Sequence, residues 1–133
     1  MEQDIGHWNY EGGNFDTENY YGFIYKITNA ETDEYYIGRK NFYSTTTKQP
    51  LKGKKRKRKI TKESKWRTYR SSQKDLQELI SANPDNFLFD IIELCPSKLS
   101  VTYSEVKHLF RVSCLDDEKC LNKNILGRFY TSK

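Results

Sequence analysis

Tyr21-Gly-Phe-Ile-Tyr-Lys-Ile-Thr-Asn29, Ala30-Glu-Thr-Asp-Glu34 and Tyr35-Tyr-Ile-Gly38 follow one another in the first third of this 133-residue chain. Residues 22–28 are rich in β-branched and aromatic side chains and read as a strand. Asn29 and Asp33 tolerate tight backbone geometry, so the stretch between them reads as a turn. Residues 34–38 make a second strand, and the whole is a hairpin. Each strand carries a tyrosine in a Gly/Ile/Tyr setting, Tyr25 on the first and Tyr36 on the second.

Working outward, residues 1–20 are polar and aromatic without a period, and read as an arm laid over the domain or loosely ordered. Residues 21–133 read as one domain, which the length suits. Beyond Asn41 the pattern is lost, and about 44–65 reads as a long loop marked by Ser44-Thr-Thr-Thr47, Pro50 and Gly53. Ser72-Gln-Lys-Asp75 then resembles a capping box before Leu76, Leu79 and Ile80 at helical spacing, and Asn83-Pro84-Asp85 ends that helix. A third strand covers residues 87–93, with Phe87, Phe89 and Ile91 on one face. A second helix covers about 103–112, with Val106, Leu109 and Phe110 inward. Leu121-Asn-Lys-Asn-Ile-Leu-Gly127 is a short element ended by glycine. This order gives an α+β fold, a small antiparallel three-stranded sheet flanked by helices.

Hydrophobic residues make up only 35% of the chain but aromatics 14%, so a small aromatic core is expected rather than a disordered chain. No apolar run approaches the roughly 18 residues of a membrane span. The start has neither a basic nor an apolar leader region, so an intracellular protein is expected. Three cysteines, Cys95, Cys114 and Cys120, form no C-x-x-C pair, which argues against a disulfide framework and for free thiols. His108, Cys114 and Cys120 have the wrong spacing for a zinc site. His108 itself reads as packing or surface, and the acidic cluster Asp116, Asp117 and Glu118 as solvated. The net charge is +5, and it is concentrated. Lys52, Lys54, Lys55, Arg56, Lys57, Arg58 and Lys59 are followed by Lys62, Lys65, Arg67 and Arg70, with Glu63 the only acid among them. A field this local suits a polyanion such as nucleic acid, or else a solvated mobile loop.

Phe23-Ile24-Tyr25 and Tyr36-Ile37-Gly38 resemble the two motifs of the GIY-YIG nucleases, with Phe23 at the usual glycine position of the first. Trp66-Arg-Thr-Tyr69-Arg-Ser71-Ser72, Tyr103-Ser-Glu105 and Leu121-Asn122 extend the resemblance along most of the chain. It is most similar to the small phage-encoded Seg-like endonucleases of that family. The resemblance implies a β-β-α-β-α-α core, DNA as substrate and hydrolysis of phosphodiester bonds. It also implies a phage origin, and then the host cytoplasm as location.

Phosphodiester hydrolysis needs an activated water, neutralised charge at phosphorus and help for the leaving oxygen. Tyr25 and Tyr36 lie on paired strands, so their hydroxyls can converge. Arg39, Lys40, Arg67 and Arg70 are near in sequence and would favour the phenolate. The resemblance implies Tyr25 as base and Tyr36 as a positioning group, against two ordinary core aromatics. It implies Glu105 as metal ligand, for Mg2+ or alternatively Mn2+, because a hard cation needs few protein carboxylates. The rival role for Glu105 is a capping box with Thr102. Lys40 and Arg67 rank first for the catalytic cation, and Arg39 is equally reachable. Asn122, with Asn124 as neighbour, would steady the site or make a plain turn. Ser71 and Ser72 would bond phosphate or cap the helix. Trp66 and Tyr69 fill the core or stack on a base. DNA contact is expected from Arg39, Arg70 and the 52–59 run. A homodimer is expected only if both strands are cut. The alternatives are an inactive nucleic-acid-binding module on the same scaffold and a basic ribonucleoprotein component.

Overall fold

A computed structural model of the chain describes residues 3–132. Strands β1 (Gly22–Asn29) and β2 (Tyr35–Asn41) form the expected antiparallel hairpin. Its turn closes as the sequence dictates: the Asn29 side-chain oxygen accepts from the Glu31 amide at 2.9 Å, and Asp33 takes a left-handed φ of 63°. The third strand of this sheet, β5 (Phe87–Cys95), pairs antiparallel with the other edge of β1, giving the order β2-β1-β5.

The two faces of this sheet have different chemistry. Ile24 and Ile37 pack on Val101 and Leu109 of helix α2 (Lys98–Arg111). Phe23, Tyr25 and Ile27 face the other way, onto Trp8, Phe42 and Trp66 and onto Leu76 and Ile80 of helix α1 (Lys74–Ala82). Burying each such side chain stabilises the fold by about 1.5–3 kcal/mol. Phe23, in place of a glycine, is fully buried with its ring centroid 5.1 Å from that of Phe42. The N-terminal arm supplies Trp8, whose indole donates to the Trp66 carbonyl at 2.6 Å. Asn9 bonds β5 through the Phe89 carbonyl and the Ile91 amide, both at 2.8 Å.

Several expectations need correction. The 44–65 stretch is a two-stranded ribbon, β3 (Tyr43–Lys48) paired with β4 (Arg58–Glu63). Its threonines favour extended backbone, but both faces are exposed, so no hydrophobic period marks it. The terminal helix of the implied β-β-α-β-α-α order is absent from the described residues. A hairpin stands there, β6 (Asn124–Ile125) with β7 (Phe129–Tyr130), turned by Leu126 and Gly127 at φ 58° and 65°. Helix α2 begins at Lys98, ahead of Tyr103, because Ser97 and Ser100 cap each other reciprocally. Its buried positions are Val101, Ser104 and Leu109, while Phe110 points outward. Cys114 and Cys120 form a disulfide with Cα atoms 5.3 Å apart, correcting the expected free thiols, and Cys95 is free and buried. No described helix is long and apolar enough to cross a membrane.

Candidate active site

Tyr25 lies opposite Gly38 in the β1–β2 register, so both project to the same face. A methyl group on Gly38 would fall against the Tyr25 phenol and 3.0 Å from the Tyr36 ring. The glycine of Tyr36-Ile37-Gly38 is thus the opening through which the Tyr25 hydroxyl reaches the sheet edge. Beside it, β5 carries a bulge: Ile24 pairs with Glu93 but Tyr25 with Ile91. Bulges re-aim side chains and concentrate next to active sites. The Tyr25 and Tyr36 ring centroids are 6.2 Å apart, and Tyr69 stands edge-on to Tyr25 at 5.9 Å. Ser71 is buried with φ 85°, a strained backbone for a non-glycine residue, and its hydroxyl serves both phenols.

Burial pushes both phenols above their ordinary pKa; the Tyr36 phenol adds to the rise at Tyr25, and Tyr69 and Glu105 add to it at both. Only the Ser71 and Ser72 hydroxyls oppose it. The expected lowering by nearby cations is therefore corrected. The physical reason is where those cations point. Arg39 turns toward α2, donating to the Thr102 hydroxyl at 2.7 Å. Lys40 lies over the Tyr69 ring, 4.6 Å from its centroid, with its own pKa lowered by burial. Arg67 pairs with Glu63, lies 3.8 Å from Asp4 and stacks on Trp66, so it faces the arm and not the phenols. Arg70 is exposed.

Glu105 approaches from α2, and its Oε1 lies 3.9 Å from Arg39 Nε. It sits well inside the helix and takes no part in its cap, so the capping role is excluded. Burial pushes its carboxyl above the usual range, with Arg39 opposing. Asn122 does something sequence reasoning expected only in outline. Its side-chain oxygen accepts from the Ile37 amide at 3.0 Å, and its nitrogen donates to the Ile37 carbonyl at 2.7 Å. With Leu121 donating to the Tyr35 carbonyl and Tyr35 to that of Lys119, this segment covers the outer edge of β2. Such an edge otherwise presents unpaired backbone groups.

These residues meet in a cleft of about 680 Å3 that joins Tyr25, Tyr36, Gly38, Arg39, Glu105 and Asn122. Tyr69 and Ser72 also line it. Lys40, Arg67 and the 52–59 run do not. Trp66 is fully buried core, and His108 binds Glu93 at 2.8 Å. Sequence reasoning missed Gln73, Lys123 and Leu126 on the cleft wall. Leu126, at a left-handed turn position that normally takes Asn, Asp or Gly, gave no turn signal.

Glu105 is the one carboxylate among the residues lining the cleft, and no group of three or more metal-type side chains gathers among the described residues. That donor set fits a hard divalent cation that keeps most of its waters, and does not fit zinc.

A family model described as "Putative endonuclease segE, GIY-YIG domain" matches residues 8–130. The chain belongs to this family. No curated protein and no solved structure matches it. The match to the GIY-YIG domain begins at Trp8, so it takes in the arm residue that completes the aromatic core. Family membership makes the chain a nuclease-type domain of α+β architecture, and the cleft is lined by Tyr25 of the first motif and by Tyr36 and Gly38 of the second.

Proposed function

We propose that this GIY-YIG domain is a DNA endonuclease that hydrolyses phosphodiester bonds with one divalent cation, Mg2+ or Mn2+. The observation that supports it best is the meeting of the two phenols, Arg39 and Glu105 in one cleft. Two phenols from one face of the sheet and an acid–base pair from the other share this space only because Gly38 has no side chain.

Hydrolysis forms a bond from water oxygen to phosphorus and breaks the bond to the leaving oxygen. Water gives up one proton and the leaving oxygen takes one. In this reading Tyr36, the more exposed phenol, donates to a phosphate oxygen and fixes the scissile group. Arg39 takes a second oxygen through its guanidinium, whose planar fork suits phosphate. Tyr25 orients the water and, in its deprotonated form, takes the water's proton as the reaction proceeds; the leaving oxygen takes its proton from solvent water, and Tyr25 returns its own to solvent. Asn122 touches no substrate and positions the site by fixing Ile37 between Tyr36 and Gly38. Glu105, with the phosphate and water, would hold the cation, which neutralises charge on the leaving oxygen when bound. Arg67 leaves the catalytic set, and Lys40 acts by holding Tyr69.

Supercoiled plasmid tests the proposal. With Mg2+ the chain is expected to nick or linearise it, and EDTA is expected to stop this. Glu105→Ala should not cut and should still bind. Tight binding with no cutting in either Mg2+ or Mn2+ would remove the enzyme reading and leave a nucleic-acid-binding module.

A further inference from the structure

The β3–β4 ribbon buries neither face. Thr45, Thr47, Lys59 and Thr61 project to one side, and Ser44, Thr46, Arg58 and Lys62 to the other, all exposed. A two-stranded hairpin is at best marginal alone in water. This one adds no strand to the main sheet and contributes to the aromatic core only through Tyr43 at its root. Its root is clamped by the Ser64 amide, which donates to the Phe42 carbonyl at 2.8 Å. Arg39 and Tyr69, both in the cleft wall, flank that root in the chain.

We infer that the ribbon is a duplex-reading element that lies in the major groove of B-form DNA beside the cut site. There its lysines and arginines meet phosphates on the groove walls, and Thr45, Thr47 and Thr61, which share one side of the ribbon, face base edges. The inference rests on the nuclease reading above for its substrate. Six-residue strands extend about 20 Å, and a major groove about 12 Å wide admits two paired strands. Threonine carries both a hydroxyl for base edges and a methyl for thymine. Thr45 and Thr61 share a hydroxyl hydrogen bond across the ribbon at 3.1 Å, which fixes both on one face.

The same composition disfavours other nucleic acids. Single strands are held by stacking bases on aromatic rings. Residues 44–65 contain no aromatic side chain. Double-stranded RNA hides its bases in a deep, narrow major groove that side chains do not read. The charge on the 52–59 run and the hydroxyls along the strands together match a wide groove between two phosphate rails.

The test uses the full chain, one short oligonucleotide as duplex and as single strand, and EDTA so that nothing is cut. Duplex should bind at least about tenfold tighter, with a strong salt dependence. Guanine N7 atoms, which lie in the major groove, should be protected from dimethyl sulfate. Changing Lys54, Lys55, Arg56 and Lys57 together to Gln should cost about tenfold or more in duplex affinity and flatten the salt dependence, with thermal stability unchanged. Thr45→Ala with Thr47→Ala should alter which guanines are protected and leave the salt dependence alone. Equal affinity for the single strand, or bound duplex with unprotected N7 atoms, overturns the inference. Plasmid cutting without N7 protection would sink groove docking while the nuclease reading stands. Duplex binding with N7 protection but no cutting would do the reverse, and no DNA binding at all overturns groove docking.

Discussion

The three-stranded sheet and the β3–β4 ribbon are both antiparallel, and both begin from the same strand-forming chemistry, yet they are held in opposite ways. In the sheet, Phe23, Tyr25, Ile24 and Ile37 are sealed between two layers, and even the edge of β2 is closed by Asn122. In the ribbon, backbone pairing is joined by exposed hydroxyls and cations that any solvent can replace. A buried frame can hold phenols and a carboxylate in fixed relation, which chemistry needs. An exposed ribbon can hold charge and hydroxyls ready for a partner, which binding needs. On the proposed reading, the molecule divides its work along that line.

The largest effect that would break this comparison is expected at Gly38. Gly38→Ala should displace the Tyr25 phenol and cost about 100-fold in cleavage rate, with about 1–3 kcal/mol of stability. A Gly38→Ala chain that cuts normally would show that the phenols need no such opening. Next is Asn122→Ala, which strips both backbone groups of Ile37 of their partner. A loss of about 3 kcal/mol in urea unfolding is expected, with faster hydrogen exchange at the Ile37 amide. A loss below about 0.5 kcal/mol would mean the edge of β2 is satisfied by water.

The hairpin of the GIY-YIG domain was legible because residues 22–28 are dense in β-branched and aromatic side chains and Asn29 and Asp33 mark the turn, and the third strand because Phe87, Phe89 and Ile91 alternate onto one buried face. The tyrosines followed from that hairpin, and Glu105 from the resemblance of Tyr103-Ser-Glu105 to the family's helix motif. Three things were not legible. The ribbon carries no period because neither face is buried. The direction of the phenol pKa values depends on how tightly Trp8, Tyr69 and Ser71 surround them, and these residues are remote in sequence. Arg67 looked catalytic beside Tyr69, but the register of the short turn at Trp66 aims it at Asp4 and Glu63.

The pH dependence sharpens the chemical half. A base must be deprotonated to act, and burial raises Tyr25 above its ordinary value of about 10. The active fraction therefore grows with pH, and kcat/KM should rise about tenfold per unit through about pH 6–9. Tyr25→Phe should remove that slope. A maximum near neutrality would assign the base elsewhere. The smallest effect belongs to the ribbon. Thr61→Ala deletes the exposed hydroxyl bond to Thr45 and should change stability by less than about 0.5 kcal/mol. A larger loss, read by thermal unfolding, would mean the ribbon is part of the folded frame.

The division of labour itself is tested most directly by measuring single-turnover cleavage and duplex affinity side by side in two variants. Glu105→Gln should abolish cutting and leave affinity within about twofold. The variant with Lys54, Lys55, Arg56 and Lys57 changed to Gln should weaken affinity about tenfold or more and, at saturating protein, cut bound DNA at the unaltered rate. Loss of binding in Glu105→Gln, or a slowed chemical step in the ribbon variant at saturation, would contradict the account.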